Sequence, residues 1–169
     1  SYLYAMKQNL EKDFIILLEA NQNIIHKICK LYTSDADSHK DLFQEISIQL
    51  WKAFPNFRGE SKFTTWAYRV ALNTAISLYR KKTRTIETND IELSIHRFKY
   101  EEYNEEEEEQ IILLYKAVKQ LNDIEKALVY MYLEDKDYTE IAETLGISEV
   151  NARVKMNRIK TKLKKIVNP

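Results

Sequence analysis

The chain has almost none of the residues that punctuate β-structure: two glycines and two prolines in 169 residues. Strands and hairpins need such residues at their turns, so the predicted fold class is all-α. One cysteine, Cys29, excludes an internal disulfide framework. The three histidines, His26, His39 and His96, are not spaced as a metal-ligand set, and the sequence predicts neither metal nor cofactor. No run approaches the roughly 18 consecutive apolar residues of a membrane span, and the N-terminus lacks the pattern of a secretory signal. These absences point to the cytoplasm. The chain opens on Ser1 with Met6 as its first methionine, and residues 1–5 carry no weight in the predicted fold. Net charge is absent too: 26 basic residues balance 26 acidic ones. Taken at face value, that balance argues against a polyanion partner.

The charges are not mixed evenly. Residues 1–84 hold 13 basic and 8 acidic side chains, residues 85–115 hold 2 and 10, and residues 116–169 hold 11 and 8. The middle segment contains Glu101, Glu102 and the run Glu105 to Glu109, which repel one another and have little apolar surface to bury. It reads as an acidic linker over 85–110 between two small helical domains, 1–84 and 111–169.

In the first domain Leu10, Phe14, Leu17, Leu18, Ile24, Ile25, Ile28 and Leu31 recur at helical spacing and predict one long helix. A second helix is expected to be capped by Asp37 or Ser38, to carry Leu42, Phe43, Ile46, Leu50, Trp51 and Phe54, and to stop before Pro55. After the turn Pro55 to Glu60, a third helix opens at Ser61 or Lys62, with Phe63, Trp66, Ala67, Val70, Ala71 and Leu78 inward. It ends in Arg80, Lys81, Lys82 and Arg84, cations that suit a helix C-terminus.

In the second domain Asn122 and Glu125 have the spacing of a capping box, opening a helix through Ala127, Leu128, Met131 and Tyr132. Tyr138 to Leu145 then makes a two-turn helix stopped by Gly146, and Ser148 caps a last helix to about Ile166. Two helices joined by a short Gly-containing turn form a helix-turn-helix, with Ile141, Ala142, Leu145, Ile147, Val150 and Ala152 or Val154 as its internal contacts.

After Ser148 there is one acidic residue against seven basic ones, a local excess suited to a nucleic acid whatever the total charge. Asn151, Arg153, Asn157 and Arg158 lie early on that helix, where base edges are reached; Lys160 to Lys165 suit phosphates. In the first domain Phe57, Arg58, Phe63, Trp66, Tyr68, Arg69, Asn73, Arg80, Lys81 and Lys82 interleave rings with cations, as single-stranded nucleic acid requires. Phe63 and Trp66, at helical spacing, are more often core residues. No catalytic constellation emerges: Asp35, Asp37 and Asp41 have no matching ligands, phosphate cradle or nucleophile pair, so the chain does not read as an enzyme.

The order of these residues is similar to that of the extracytoplasmic-function (ECF) sigma factors of bacterial RNA polymerase. Asp41 to Glu45, Leu50-Trp51 and Phe57 to Asn73 resemble their region 2; Tyr138 to Glu149 with its basic helix resembles region 4. The resemblance implies an alternative sigma subunit that directs polymerase to promoters and melts them. By position, Asp41, Leu42, Gln44, Glu45 and Trp51 would bind core RNA polymerase. Asn56, Phe57, Arg58, Gly59, Ser61, Phe63, Trp66, Arg69, Asn73 and Arg80 would meet the unpaired minus-10 element, with a base flipped into a pocket. Ser148, Asn151, Arg153, Lys155, Asn157, Arg158, Lys160 and Lys162 would meet the minus-35 duplex. Asn151-Ala152 stands where many relatives carry Thr-Val, and Val154 where they often carry Ser, so the promoter sequence does not transfer. The implied partners are core polymerase, promoter DNA and an anti-sigma factor. Two other readings fit parts of the sequence: a stand-alone helix-turn-helix regulator, for which the Asp41 to Glu45 motif has no use, and an interaction protein that binds an anti-sigma partner without transcribing.

Overall fold

The apolar spacing of the N-terminal segment produces a helix of 31 residues, α1, Tyr2–Tyr32. In this computed structural model, which describes residues 1–80 and 105–168, α1 continues unbroken through the residues before Leu10, and its buried side chains are Phe14, Ile25, Ile28, Cys29, Leu31 and Tyr32. Helix α2, Ala36–Ala53, starts earlier than Asp37 or Ser38 would allow. The Asp35 carboxylate accepts both the backbone N–H of Ser38, at 2.7 Å, and its hydroxyl, at 2.9 Å, which makes Asp35 the cap. Pro55 ends α2 in a short 3₁₀ turn, Phe54–Asn56.

Helix α3, Phe63–Arg80, buries Ala67, Tyr68, Ala71, Leu72 and Ala75. This stripe is broader than one contact surface needs, because α1 and α2 flank α3 on one side and a helix of the second domain on the other. Leu78, expected inward, is 40% exposed at the outer edge.

Helix α4, Glu105–Lys119, begins inside the acidic run. Lys81, Lys82, Arg84, Glu101, Glu102 and the rest of 81–104 lie outside the described residues.

Helix α5, Asp123–Leu133, opens on the expected capping box: Asn122 Oδ1 accepts from the Glu125 N–H at 2.8 Å, and the Glu125 carboxylate accepts from the Asn122 N–H at 3.2 Å. Asp137 caps α6, Tyr138–Leu145, and Ser148 caps α7, Glu149–Val167. Gly146 between them sits at φ 68°, backbone that L-residues occupy at a cost of about 1–2 kcal/mol. The inner stripe of α7 is Ala152, Met156 and Ile159; Val150, at 72% exposed, and Val154, at 40%, face outward and are not internal contacts. Tyr132 is also exposed, its ring lying beneath the Lys160 ammonium. Among the described residues there is no strand, and no helix is long and apolar enough to cross a membrane.

The two domains share one apolar core, running from Ile28, Ile46 and Leu72 to Leu128, Met131 and Ile159. Polar groups close the seam. The buried Tyr32 hydroxyl donates to the Asp123 carbonyl at 2.6 Å, and Lys119 Nζ donates to the Thr33 carbonyl at 2.6 Å, satisfying an orphan acceptor beyond the end of α1. Burial lowers the Lys119 ammonium to about 8. Lys27 pairs with Glu134 at 3.1 Å, an exposed contact of small energetic weight.

Within the first domain His26 Nδ1 and His39 Nε2 approach to 2.9 Å, joining α1 to α2, with the His26 ring stacked on Phe43. One ring must donate and the other accept, so a second proton would set two donors face to face. Burial, then Lys30, lowers His26 below its ordinary 6.5; burial, then His26 and Lys30, lowers His39 likewise. The folded state therefore favours neutral rings. Their contribution is intact above pH 6.5 and is lost as pH falls through the depressed values. Urea unfolding midpoints should fall between pH 7 and pH 5, and less steeply in His39→Gln; parallel curves would refute the assignment.

Candidate nucleic-acid interface

Because Ala152, Met156 and Ile159 face inward, the helical period turns Asn151, Val154, Asn157, Arg158, Thr161 and Lys165 outward. The α6–α7 unit is held rigid by three local bonds. Asp137 Oδ1 accepts from the Glu140 N–H at 2.8 Å, Ser148 Oγ from the Asn151 N–H at 3.1 Å, and the Thr139 hydroxyl donates to the Glu149 carboxylate at 2.6 Å. Ser148 is thus committed to its cap. The cations of α7 divide into two sets. Arg153 lies over the Tyr138 ring at 4.6 Å, Lys160 over the Tyr132 ring at 4.6 Å, and Lys162 pairs with Glu125 at 2.9 Å. Lys155, Arg158, Lys164 and Lys165 stand outside all three contacts.

The residues expected to meet a single strand are split by packing. Phe57, Phe63 and Trp66 pack against one another with tilted rings, centroids 5.1 Å apart for Phe57 and Trp66 and 5.5 Å for Phe63 and Trp66, and they adjoin the core through Phe54. Their half-buried rings hold the loop in place. Asn56, Arg58 and Gly59 remain exposed on it, and Ser61 is half-buried. Gly59 has φ 71° with open space around it, so the backbone angle alone calls for glycine. On α3, Arg69 and Asn73 are four residues apart on one face, with Asn73 exposed.

The second domain covers part of that face. The Tyr68 hydroxyl donates to the Glu140 carboxylate, and Lys136 Nζ lies 5.2 Å from the Tyr68 ring centroid. Burial first, then Glu140, raises the Tyr68 hydroxyl well above its ordinary value. Arg69 pairs with Glu143 at 3.5 Å, and Arg80 approaches Asp123 at 3.8 Å. The sequence reading missed Glu140 and Glu143, whose apposition depends on how the domains dock.

On α2, Asp41 and Gln44 are exposed and Glu45 is half-buried, accepting from Gln49 at 2.9 Å. Ile48, 46% exposed, completes the same face seven residues after Asp41. The 41-44-45-48 spacing carried that signal, though Ile48 was not among the expected residues. Two of the expected residues are turned to the packing, Leu42 fully and Trp51 in part. Leu42 is 2% exposed and serves the core, and Trp51 packs its ring 5.1 Å from that of Phe14.

Comparison with known proteins finds two regions of one family along the chain. The family description "Sigma-70 region 2" matches residues 17–85, and "Sigma-70, region 4" matches residues 111–163. The RNA polymerase sigma-H factor of Pseudomonas aeruginosa is 28% identical over 158 residues, covering 85% of this chain and 82% of the relative. The ECF RNA polymerase sigma-E factor of Escherichia coli K12 is 25% identical over 170 residues, covering 94% and 88%. Among solved structures, the sigma factor RpoE of Bartonella quintana, in complex with the anti-sigma factor NepR, matches with a TM-score of 0.65 at 16% identity over 95% of this chain and 97% of that one. CnrH, in complex with the cytosolic domain of CnrY, matches at 0.64 and 15% identity over 94% and 89%. With both regions in order and ECF factors among its relatives, the chain belongs to the sigma-70 family as an ECF-type alternative sigma factor, the subunit that binds RNA polymerase and directs it to promoters.

Proposed function

We propose a division of that work among the residues described above, with residues 1–84 and 111–169 as the two promoter-facing units and 85–110 as the tether. In this reading Asn151, Asn157 and Arg158 address base edges of the minus-35 duplex, while Arg153, Lys155, Lys160 and Lys162 address its phosphates. Asn56, Arg58, Gly59, Ser61, Arg69 and Asn73 address the unpaired minus-10 strand, on the scaffold of Phe57, Phe63 and Trp66. Arg80 follows the strand's phosphates. Asp41, Gln44, Glu45 and Ile48 form the face for core polymerase. The chain works as a binding subunit without an active site of its own, in the cytoplasm, and an anti-sigma factor, as bound to the RpoE of Bartonella quintana, is part of the reading. The observation that carries it is the outward face of α7, where Asn151, Asn157 and Arg158 are exposed behind a rigid helix-turn-helix.

Reconstitution with core polymerase and promoter DNA tests the whole assignment. Charge reversal of Asp41 with Gln44→Ala should weaken holoenzyme assembly and leave folding intact; normal assembly would remove the α2 face from the reading. Arg158→Ala in the holoenzyme should cost about 1–3 kcal/mol at one base pair of the minus-35 element. An equal loss over all sequences would move Arg158 to the phosphates.

Arg69 meets Glu143 in the free chain and DNA in this reading, so the two compete. An exposed pair is worth about 0.2–1 kcal/mol, and Glu143→Gln should therefore raise the affinity of the free chain for a single-stranded minus-10 oligonucleotide by up to about fivefold. Fluorescence anisotropy measures it, and an unchanged affinity would place Arg69 outside the minus-10 contact.

A further inference from the structure

Arg153 and Lys160 stand seven residues apart on α7, which places them on one flank of the helix about 10 Å apart along its axis. Each has a tyrosine ring under it. The Arg153 guanidinium carbon is 4.6 Å from the centroid of Tyr138, the first residue of α6, and Lys160 Nζ is 4.6 Å from that of Tyr132, near the end of α5. The register of two turns on α7 is thus matched by the step between two rings across the α5–α6 turn.

That turn is itself fixed. Asp135 takes the left-handed backbone at φ 57°, with the Lys136 N–H bonded back to the Met131 carbonyl at 3.0 Å. The Asp137 cap and the bond from Thr139 to Glu149 then hold Tyr138 from either side. Both rings border an open cavity of about 520 Å³, and Arg153 forms one of its walls. The opposite flank of α7 is arranged differently: Lys162 is tied to a carboxylate, that of Glu125.

We propose that Tyr138 and Tyr132 are positioning residues for the duplex-reading helix, their ring faces holding Arg153 and Lys160 along one flank of α7 to meet the phosphates of a single DNA strand. The inference rests on the assignment of α7 to the minus-35 duplex. Its physical content is ordering. A long basic side chain loses rotamer freedom when it settles on a phosphate, and a ring that already confines it removes part of that loss before DNA arrives. Neither tyrosine touches DNA in this account, and both cations keep their charge when a ring is removed.

The test uses holoenzyme made with the full chain and a promoter duplex, titrated over a range of salt. Tyr138→Leu should weaken binding about two- to fivefold, part of the ordering cost of one long side chain, at every minus-35 sequence. The slope of log affinity against log salt should stay unchanged, because no phosphate contact is lost. Tyr138→Phe, which keeps the ring, should restore wild-type affinity. Arg153→Ala should reduce the slope by about one, and adding Tyr138→Leu to it should change nothing more. Equal losses from Tyr138→Leu with and without Arg153 would make the tyrosine a fold residue and overturn the proposal. So would no loss from Tyr138→Leu while Arg153→Ala still lowers the slope, which leaves the assignment of α7 standing. No change from Arg153→Ala and Lys160→Ala together would overturn the proposal through the loss of that flank's DNA contact. Tyr132→Leu, compared in wild-type and Lys160→Ala backgrounds, decides the matter independently should Tyr138→Leu fail to fold.

Discussion

A tyrosine ring that is buried must still find an acceptor for its hydroxyl, and in this molecule that requirement joins the two domains. Tyr32 and Tyr68 belong to the first helical unit, are 5% and 2% exposed, and have their hydroxyl acceptors in the second, on the Asp123 carbonyl and the Glu140 carboxylate. If the units parted, each hydroxyl would exchange its acceptor for water and each ring would lose its apolar cover. The shared core supplies area and the two hydroxyls supply register. Around them the exposed ion pairs of Lys27 and Arg69 add little energy, yet they set charge of one sign against its opposite across the seam.

The helices were legible because their punctuation is local. Pro55, Asn122 with Glu125, Gly146 and Ser148 each act within one turn of chain, and each does in the structure what its chemistry predicts. The start of α2 is less legible because three local solutions compete: Asp35, Asp37 and Ser38 can all cap a helix, and only the geometry shows Asp35 taking both donors of Ser38. Leu78 and Val150 went astray for another reason. Periodicity finds an apolar stripe but not how many neighbours cover it, and α3, with helices on two sides, shifts its buried set toward Tyr68 and Leu72.

The candidate interface was legible in its residue types and only partly in their roles. Cations gathered after Ser148 announce a polyanion whatever the fold, since the phosphate backbone responds to charge density alone. Which cation is held and which is left outward depends on Tyr132, Tyr138 and Glu125, residues 15 to 37 positions away along the chain. The same holds for Arg69 and Glu143. Pairings made by docking leave no spacing in the sequence to be read, and the zero net charge of the whole chain hides them further.

Cys29 lies fully buried in the first unit, and burial pushes its thiol up to about 12. Burial thus suppresses the thiolate, the form that oxidants and metals attack. The chain's one sulfhydryl is chemically silent. What the sulfur contributes is volume, sealed inside the α1 packing, where a larger or polar side chain would have no room or partner.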